Sequence, residues 1–371
     1  MSLFGNLFGK RSGSFLGIDI GTSAVKVVQL RKKGSKAVLE TYGELALGPY
    51  GGEDIGQATS LPTEKIIEAL TDLMREKEVN LSTNLCGVAI PFASSLMSVI
   101  EMPMLSYKQL STMIPLEARK YIPVPISEVT LDWSMVPRDE IEPLSSEGEG
   151  GKEHPSRIKM TDILLVAIHN ETLGRYQEII QKTGLQSKFF EIEIFSSLRA
   201  VLDNHKEPIM ILDMGAATTK LYIVERGIVR FSHTVNRGSQ DITSTISKSL
   251  GMSLSQAEVL KRTQGAQTLG GANVRDIIAV SLGYIFAETN QVLLNYEKKH
   301  QEAVAQVILV GGGSALRGIT DLAKEALQTL VVPGNPFGKV ETPAFLAQIL
   351  RDTGPEFAVA VGLALRGLAE E

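Results

Sequence analysis

A single cysteine, Cys86, rules out any intramolecular disulfide framework. It sits in the apolar run Cys86-Gly-Val-Ala-Ile90, so it reads as a small buried hydrophobe rather than a nucleophile. That usage fits a reducing cytoplasm. Basic residues are not in excess: Lys and Arg number 37 against 42 Asp and Glu, a net charge of -5. A nucleic-acid binder would show a basic stripe, and none is present. No run reaches the ~18 consecutive apolar residues that span a bilayer. The N-terminus has Leu3, Phe4, Leu7 and Phe8 followed by Lys10 and Arg11. It lacks the long apolar core and small-residue cleavage site of a secretory signal. It reads as a frayed tail, since so short an apolar face contributes little membrane binding.

What is present is an ordinary globular mixture, 43% hydrophobic and 21% charged over 371 residues. That is enough chain for two or more domains and a sizeable core. Two segments repeat each other. Ser14 to Gly34 and Pro208 to Val229 each give an apolar strand, an Asp-x-Gly turn and a β-branched strand ending in a charged turn. Such runs bounded by glycine predict β-hairpins. The same hairpin twice, about half a chain apart, predicts two related lobes. Between the copies, Thr63 to Glu78 carries Ile66, Ile67, Leu70, Leu73 and Met74 at helical spacing. A second helix opens with a Ser106/Gln109 capping box and contains Pro115, where a kink or late start is expected. Residues 138–157 are acidic and rich in Gly, Ser and Pro, which predicts a solvated, flexible loop. Helices are expected at about 171–182, 241–250, 255–262 and 273–296, and again from Pro355.

Three short motifs carry chemistry. In Asp19-Ile-Gly21-Thr22-Ser23-Ala-Val-Lys26 a tight turn exposes backbone N–H groups, a concavity suited to phosphate oxygens. Gly21 allows close approach, and the Thr22 and Ser23 hydroxyls can donate. Asp19 would repel phosphate unless a hydrated Mg²⁺ lay between them. Lys26 faces either phosphate or the solvent at a strand edge. Alone, the motif is an ordinary hairpin. The second copy, Asp213-Met-Gly215-Ala216-Ala-Thr218-Thr219-Lys220, repeats Asp, Gly, hydroxyl and Lys in the same phase. Two such hairpins can grip a polyphosphate from opposite sides, with both carboxylates facing one metal. The third motif is Gly311-Gly312-Gly313-Ser314 after the strand Val307–Val310, where flat backbone can lie against a planar ring. Glu258 and Lys261, at i and i+3, share a helix face. They are either a surface ion pair or hydrogen-bonding partners of a ribose.

In this order the motifs resemble the actin, sugar-kinase and heat-shock ATPase superfamily along the whole chain. The resemblance implies an α/β actin-like ATPase fold: two ribonuclease-H-like lobes around a nucleotide cleft. Asp19–Lys26 and Asp213–Lys220 then serve as phosphate loops, with Asp19 and Asp213 holding Mg²⁺ through water. Gly311–Ser314, Glu258 and Lys261 serve the nucleoside of ATP. Glu193 stands where relatives place a Glu at a helix start between the lobes, but Ile194 replaces the frequent Pro. It is the candidate catalytic residue, with a capping acid as the plain alternative.

Leu116 to Trp133 is similar to the stretch that typifies the PilM family of type IV pilus assembly, and FtsA is the nearest other family. Both carry a small α+β subdomain inserted in the first lobe. The resemblance implies lobe I at 1–205 with the insert at about 41–160, and lobe II at 206–354 with a subdomain at about 251–304. A C-terminal helix, 355–371, returns to lobe I. It implies an ATP-binding cytoplasmic scaffold, peripheral at the inner membrane, with at most slow hydrolysis. Its partner would be the N-terminal tail of PilN, held in a groove between the first-lobe core and the insert. The PilO complex, the assembly ATPases and self-association are further partner expectations; nucleic acid is not. The alternative is an FtsA-like, ATP-dependent filament former in cell division or secretion.

Overall fold

The computed structural model describes residues 13–136, 160–203, 205–266 and 272–370. The N-terminal tail with Leu3, Phe4, Leu7 and Phe8 and the expected acidic loop at 138–157 lie outside the described residues. In chain order the strands are β1 (Ser14–Ile20), β2 (Ala24–Lys33), β3 (Lys36–Ala46), β4 (Leu85–Ile90), β5 (Ser95–Pro103), β6 (Val129–Val136) and β7 (Met160–His169). They continue with β8 (Gln186–Ile192), β9 (Ile209–Met214), β10 (Thr219–Glu225), β11 (Ile228–Val235), β12 (Gln306–Val310), β13 (Leu330–Pro333) and β14 (Val340–Glu341). The helices are α1 (Thr63–Arg75), α2 (Tyr107–Glu117), α3 (Asn170–Lys182), α4 (Glu193–Val201) and α5 (Ser239–Leu250). After them come α6 (Leu254–Gln264), α7 (Ala272–His300), α8 (Ile319–Leu327), α9 (Ala347–Asp352) and α10 (Ala358–Glu370).

The repeated hairpins found in the sequence build two sheets of matching order. The first runs β14-β3-β2-β1-β4-β8 and the second β11-β10-β9-β12-β13. In each, the first strand of an antiparallel meander also pairs in parallel on its other side, β1 with β4 and β9 with β12. Their strands read as continuous Val, Ile and Leu because both faces are covered. Leu16, Ile18, Val25, Val27, Ile211, Leu212 and Leu221 are all fully buried. The first lobe packs Phe15, Val28 and Leu30 against Ala360, Val361 and Leu368 of α10. Here glycine is a steric requirement. A Cβ on Gly17 would collide with the Ala360 backbone, and one on Gly362 with the Ser196 backbone of α4. The C-terminal helix therefore packs against β1, β2 and α4.

In the second lobe α5, α6, α7 and α8 share one core with the sheet, joining Met210, Leu212 and Ile223 to Ile246, Ala257, Ile278, Leu282 and Leu322. The segment expected as a separate subdomain at 251–304 contributes to that same core. By length and composition Val274–His300 is one helix long and apolar enough to cross a membrane, although charged residues such as Asp276 and Glu288 keep it from being a continuous apolar run. Its inner face supplies core residues of the folded lobe.

Chain contacts divide the molecule into two compact units, Ile90–Tyr176 and the residues on either side of it. The smaller unit is an antiparallel sheet, β5-β7-β6, covered by α2. Its core joins Ile100, Met102, Ile163 and Leu165 to Leu110, Ile114 and Ala118. The capping box of α2 forms, with Ser106 N–H donating to Gln109 Oε1 at 3.0 Å, and the helix runs through Pro115. These bounds differ from the 41–160 reading of the insert. The reason is that β3 is paired along its length with β2, and α1 packs Leu73 against Gly43 of β3.

Candidate functional site

The two hairpins place the same atoms in the same way. Asp19 stands opposite Lys26 in the β1–β2 register, and Asp213 opposite Lys220 in β9–β10. Gly21 N–H donates to Ala24 O at 2.9 Å, and Gly215 N–H to Thr218 O at 2.9 Å. The following amides, of Thr22 and Ser23 and of Ala216 and Ala217, make no hydrogen bond among the described residues.

The charges of the two turns sense one another. Burial pushes the Asp19 carboxyl up to about 7; Glu193 and Asp213 add to the rise, and Lys26 and Lys220 oppose it. Burial also raises Asp213, with Glu193 adding and Lys220 and Lys26 opposing. Glu193 opens α4 in the first lobe and Lys220 lies on β10 in the second, yet their charges meet at 2.7 Å. Lys220 Nζ is also 3.9 Å from Asp213. Burial works against the Lys220 ammonium, but Glu193 and Asp213 outweigh it and raise its pKa. The two lysines point differently. Lys26 Nζ lies 3.7 Å from both Glu44 and Glu356, and 5.9 Å from the centre of the Phe357 ring.

The glycine turn closes this centre. Gly311 has φ +83, and a Cβ there would fall on the Asp213 carboxylate and the Met214 backbone. A Cβ on Gly313 would meet the Met214 side chain, whereas one on Gly312 would face Lys26 Nζ at 3.7 Å. Gly311 N–H donates to Pro355 O at 3.0 Å, tying the turn to the segment that opens α10. The Ser314 hydroxyl donates to Gly311 O at 2.7 Å and closes the turn. The helix expected next to the glycines starts later, at Ile319.

Glu258 and Lys261 form a buried pair at 2.7 Å rather than a surface one. Thr243 donates to Glu258 at 2.6 Å and accepts from Lys261 at 2.9 Å. Burial opposes ionisation of Glu258, but Lys261, Thr243 and Arg262 together hold its carboxyl below the usual range. Lys261 also donates to Ser239 O, and Ser239 N–H donates to Gly215 O. The pair is thereby joined to the second hairpin. The Thr219 hydroxyl, expected to face phosphate, is fully buried and donates to Arg237 O at 2.8 Å.

Sequence reasoning missed a strap. Residues 48–61, a plain Gly/Pro-rich loop by composition, run along the first turn and cross to the second lobe. Leu47 N–H donates to Ser23 O at 2.8 Å and Thr59 N–H to Thr22 O at 2.9 Å. Ala58 N–H donates to Gln240 Oε1 of α5 at 3.1 Å. Gly56, with φ +88, lies so close to the Glu258 carboxylate that a Cβ would overlap it. Glu44, Glu356 and Arg262 were missed too, because their elements meet only in the folded chain.

Residues 17–368 match the family model described as type IV pilus assembly protein PilM. The chain belongs to the PilM family. It superposes on a chain of the PilM-PilN type IV pilus biogenesis complex with a TM-score of 0.76 at 26% identity, covering 96% of this chain and 99% of that one. The cell division protein FtsA of Streptococcus pneumoniae is 24% identical over 90% of this chain and 78% of its own. MreB 5 of Spiroplasma citri, solved bound to AMPPNP, matches with a TM-score of 0.52 at 12% identity, over 98% of each chain. The PilM-family chain therefore has an actin-like ATPase fold, as the twin hairpins imply.

Proposed function

We propose that this PilM-family chain binds Mg-ATP between its lobes and acts as a cytoplasmic scaffold of type IV pilus assembly, holding the N-terminal tail of PilN at the inner membrane. One observation carries the nucleotide reading: two Asp-x-Gly hairpins from different lobes converge on one charged centre beside a glycine turn. The residues fit the absent group in both signs of charge. Half-buried Asp19 and buried Asp213 are under-compensated: desolvation raises both carboxyls, Asp19 to about 7, despite Lys26 and Lys220. Among the described residues no three acidic, His or Cys side chains gather into a direct metal shell. Asp19 and Asp213 therefore suit a cation held through water. The amides of the two turns and Lys26 would face phosphate, and Gly312, between Lys26 and the glycine backbone, the nucleoside. When bound, the ion screens the phosphates from the carboxylates.

Turnover is read as slow. Orienting a water at the terminal phosphate needs a free acceptor, and Glu193 is committed to Lys220 at 2.7 Å. The PilN reading rests on the family and on the likeness to the PilM-PilN complex. The Ile90–Tyr176 unit is read as the inserted subdomain and residues from about 355 as the helix returning to lobe I. Titration calorimetry with Mg-ATP and with a synthetic PilN N-terminal peptide tests both parts. Submicromolar to micromolar ATP binding that Asp19→Ala and Asp213→Ala each weaken at least tenfold supports the reading. Unchanged affinity in both variants overturns it. Brisk ATP turnover abolished by Glu193→Gln would replace the scaffold with an enzyme.

A further inference from the structure

Helix α7 is apolar on two sides. Ile278, Leu282, Ile285, Phe286, Val292 and Tyr296 of its inner face belong to the second-lobe core. On the opposite side Val280 is 76% exposed and Leu294 61%, with Tyr284 beside them at 56%. Val280, Tyr284 and Leu294 thus form an exposed apolar stripe among charged and polar positions on the solvent side, the kind of patch that marks an interaction surface.

The outer face has an internal symmetry. Val280 and Leu294 each stand seven residues from Ala287, Gly283 and Gln291 four, and Asp276 and Lys298 eleven, all exposed. Steps of four and three keep these positions on one face of a helix. The chemistry at matching distances is complementary: apolar with apolar, small with longer, acid with base. A two-fold contact demands this arrangement, because residue i must meet j while j meets i. Asp276 and Lys298 form no ion pair among the described residues, whereas the neighbouring Arg275 is committed to Glu325 at 3.0 Å.

We propose that the outer face of α7 is a self-association surface, on which a second copy of this chain packs antiparallel with its two-fold axis at Ala287. Val280 then covers Leu294 of the other copy, and Asp276 meets its Lys298 at both ends of the seam. The small side chains at the centre, Gly283 and Ala287, let the helix axes approach to the short end of the 8–10 Å range. From Asp276 to Lys298 the seam is roughly 33 Å long at about 1.5 Å per residue. One helix wide, it lies near the ~1,200 Å² lower bound of stable interfaces. The dimer is therefore concentration-dependent. A recess of about 390 Å³ lined by His233, Arg237 and Glu288 opens beside Tyr284 and gives the seam relief at its edge. The proposal does not depend on nucleotide binding.

Sedimentation velocity of the full chain from about 1 to 100 µM, with cysteine cross-linking, tests it. The native thiol Cys86 is fully buried, so introduced cysteines report alone. Ala287→Cys should cross-link to itself under mild oxidation, because position 287 lies on the axis. Val280→Cys should not, whereas the Val280→Cys/Leu294→Cys pair should. Lys298→Glu should weaken the dimer at least fivefold, and Asp276→Lys/Lys298→Glu should restore it. A chain that stays monomeric throughout with no Ala287→Cys dimer overturns the proposal, as does capture of α7 by another protein only. Equal cross-linking of Ala287→Cys and Val280→Cys, or failure of the double reversal, overturns it too.

Discussion

Asp19, half-buried, and Glu191, buried, lie in the same lobe, yet their carboxyls shift in opposite directions. Burial and two nearby carboxyls lift Asp19 from 3.8 to about 7. The folded chain therefore holds a proton that the unfolded chain gives up near 3.8. Stability from this group is highest below that value and falls as pH rises to about 7. Asp19→Asn should remove the loss and raise the melting midpoint of nucleotide-free protein at pH 8 by roughly 2–4 °C, the equivalent of about 1 kcal/mol. The same variant should lose Mg-ATP binding, so stability and affinity move apart. Scanning calorimetry at pH 5 and pH 8 checks the sign, since the gain should be smaller at pH 5, part-way through the window from 3.8 to about 7. Glu191 has the reverse sign. Burial opposes its charge, but Arg199 at 2.6 Å, Ser196 at 2.5 Å and Arg366 at 2.9 Å prevail and hold its carboxyl low. Its contribution is present above about 4.5 and is lost as pH falls through the depressed folded value.

That carboxylate is also the knot between elements. β8 supplies Glu191, α4 supplies Ser196 and Arg199, and α10 supplies Arg366. Glu191→Ala strands two arginines beside the core and should cost about 3–5 kcal/mol, measured by urea unfolding. Gly362→Ala, which sets a Cβ against the Ser196 backbone, should cost about 1–3 kcal/mol by the same measurement. In the strap, Gly56→Val meets both the Glu258 carboxylate and an unfavourable φ of +88. It should lift residues 48–61 from the second lobe and speed release of a fluorescent ATP analogue in stopped flow. These elements differ in how well the sequence announces them. Asp, Gly, hydroxyl and Lys recur within eight residues in two places, and that alone places both turns. Gly311–Gly313 is less specific, since three glycines alone most often make a flexible loop and only the strand before them and Ser314-Ala315 after them narrow the reading. The strap is not, because its composition is that of any loop and its partners Gln240 and Glu258 lie some two hundred residues away. β14 is two residues long and pairs with β3 across the whole chain. No local pattern reports such a contact. The limits of the small unit are not legible at β3, whose alternation suits either sheet and is decided only by its pairing with β2.

At the scale of the molecule, each lobe contributes one hairpin and the two are stitched by Glu193 with Lys220, Ala58 with Gln240 and Gly311 with Pro355. A ligand that touches both turns adds to the same stitching. Mg-ATP at a hundred times its Kd should raise unfolding stability by about 2.7 kcal/mol, read as a shift of the thermal midpoint that Asp213→Ala abolishes. If the lobe angle biases partner binding, the PilN peptide should bind at least fivefold differently with and without Mg-ATP. Identical affinities would separate the two sites.

The first lobe takes β14 and α10 from the far end of the polypeptide, whereas the second is encoded without interruption from β9 to β13. During translation the second lobe can complete its core while the first still waits for its last helix on the ribosome. A nascent chain stalled near residue 370, with β14 and α10 still inside the exit tunnel, should accordingly protect β9 to β13 from protease and leave β1 and β2 open to cleavage, reversing the usual N-to-C order of domain folding.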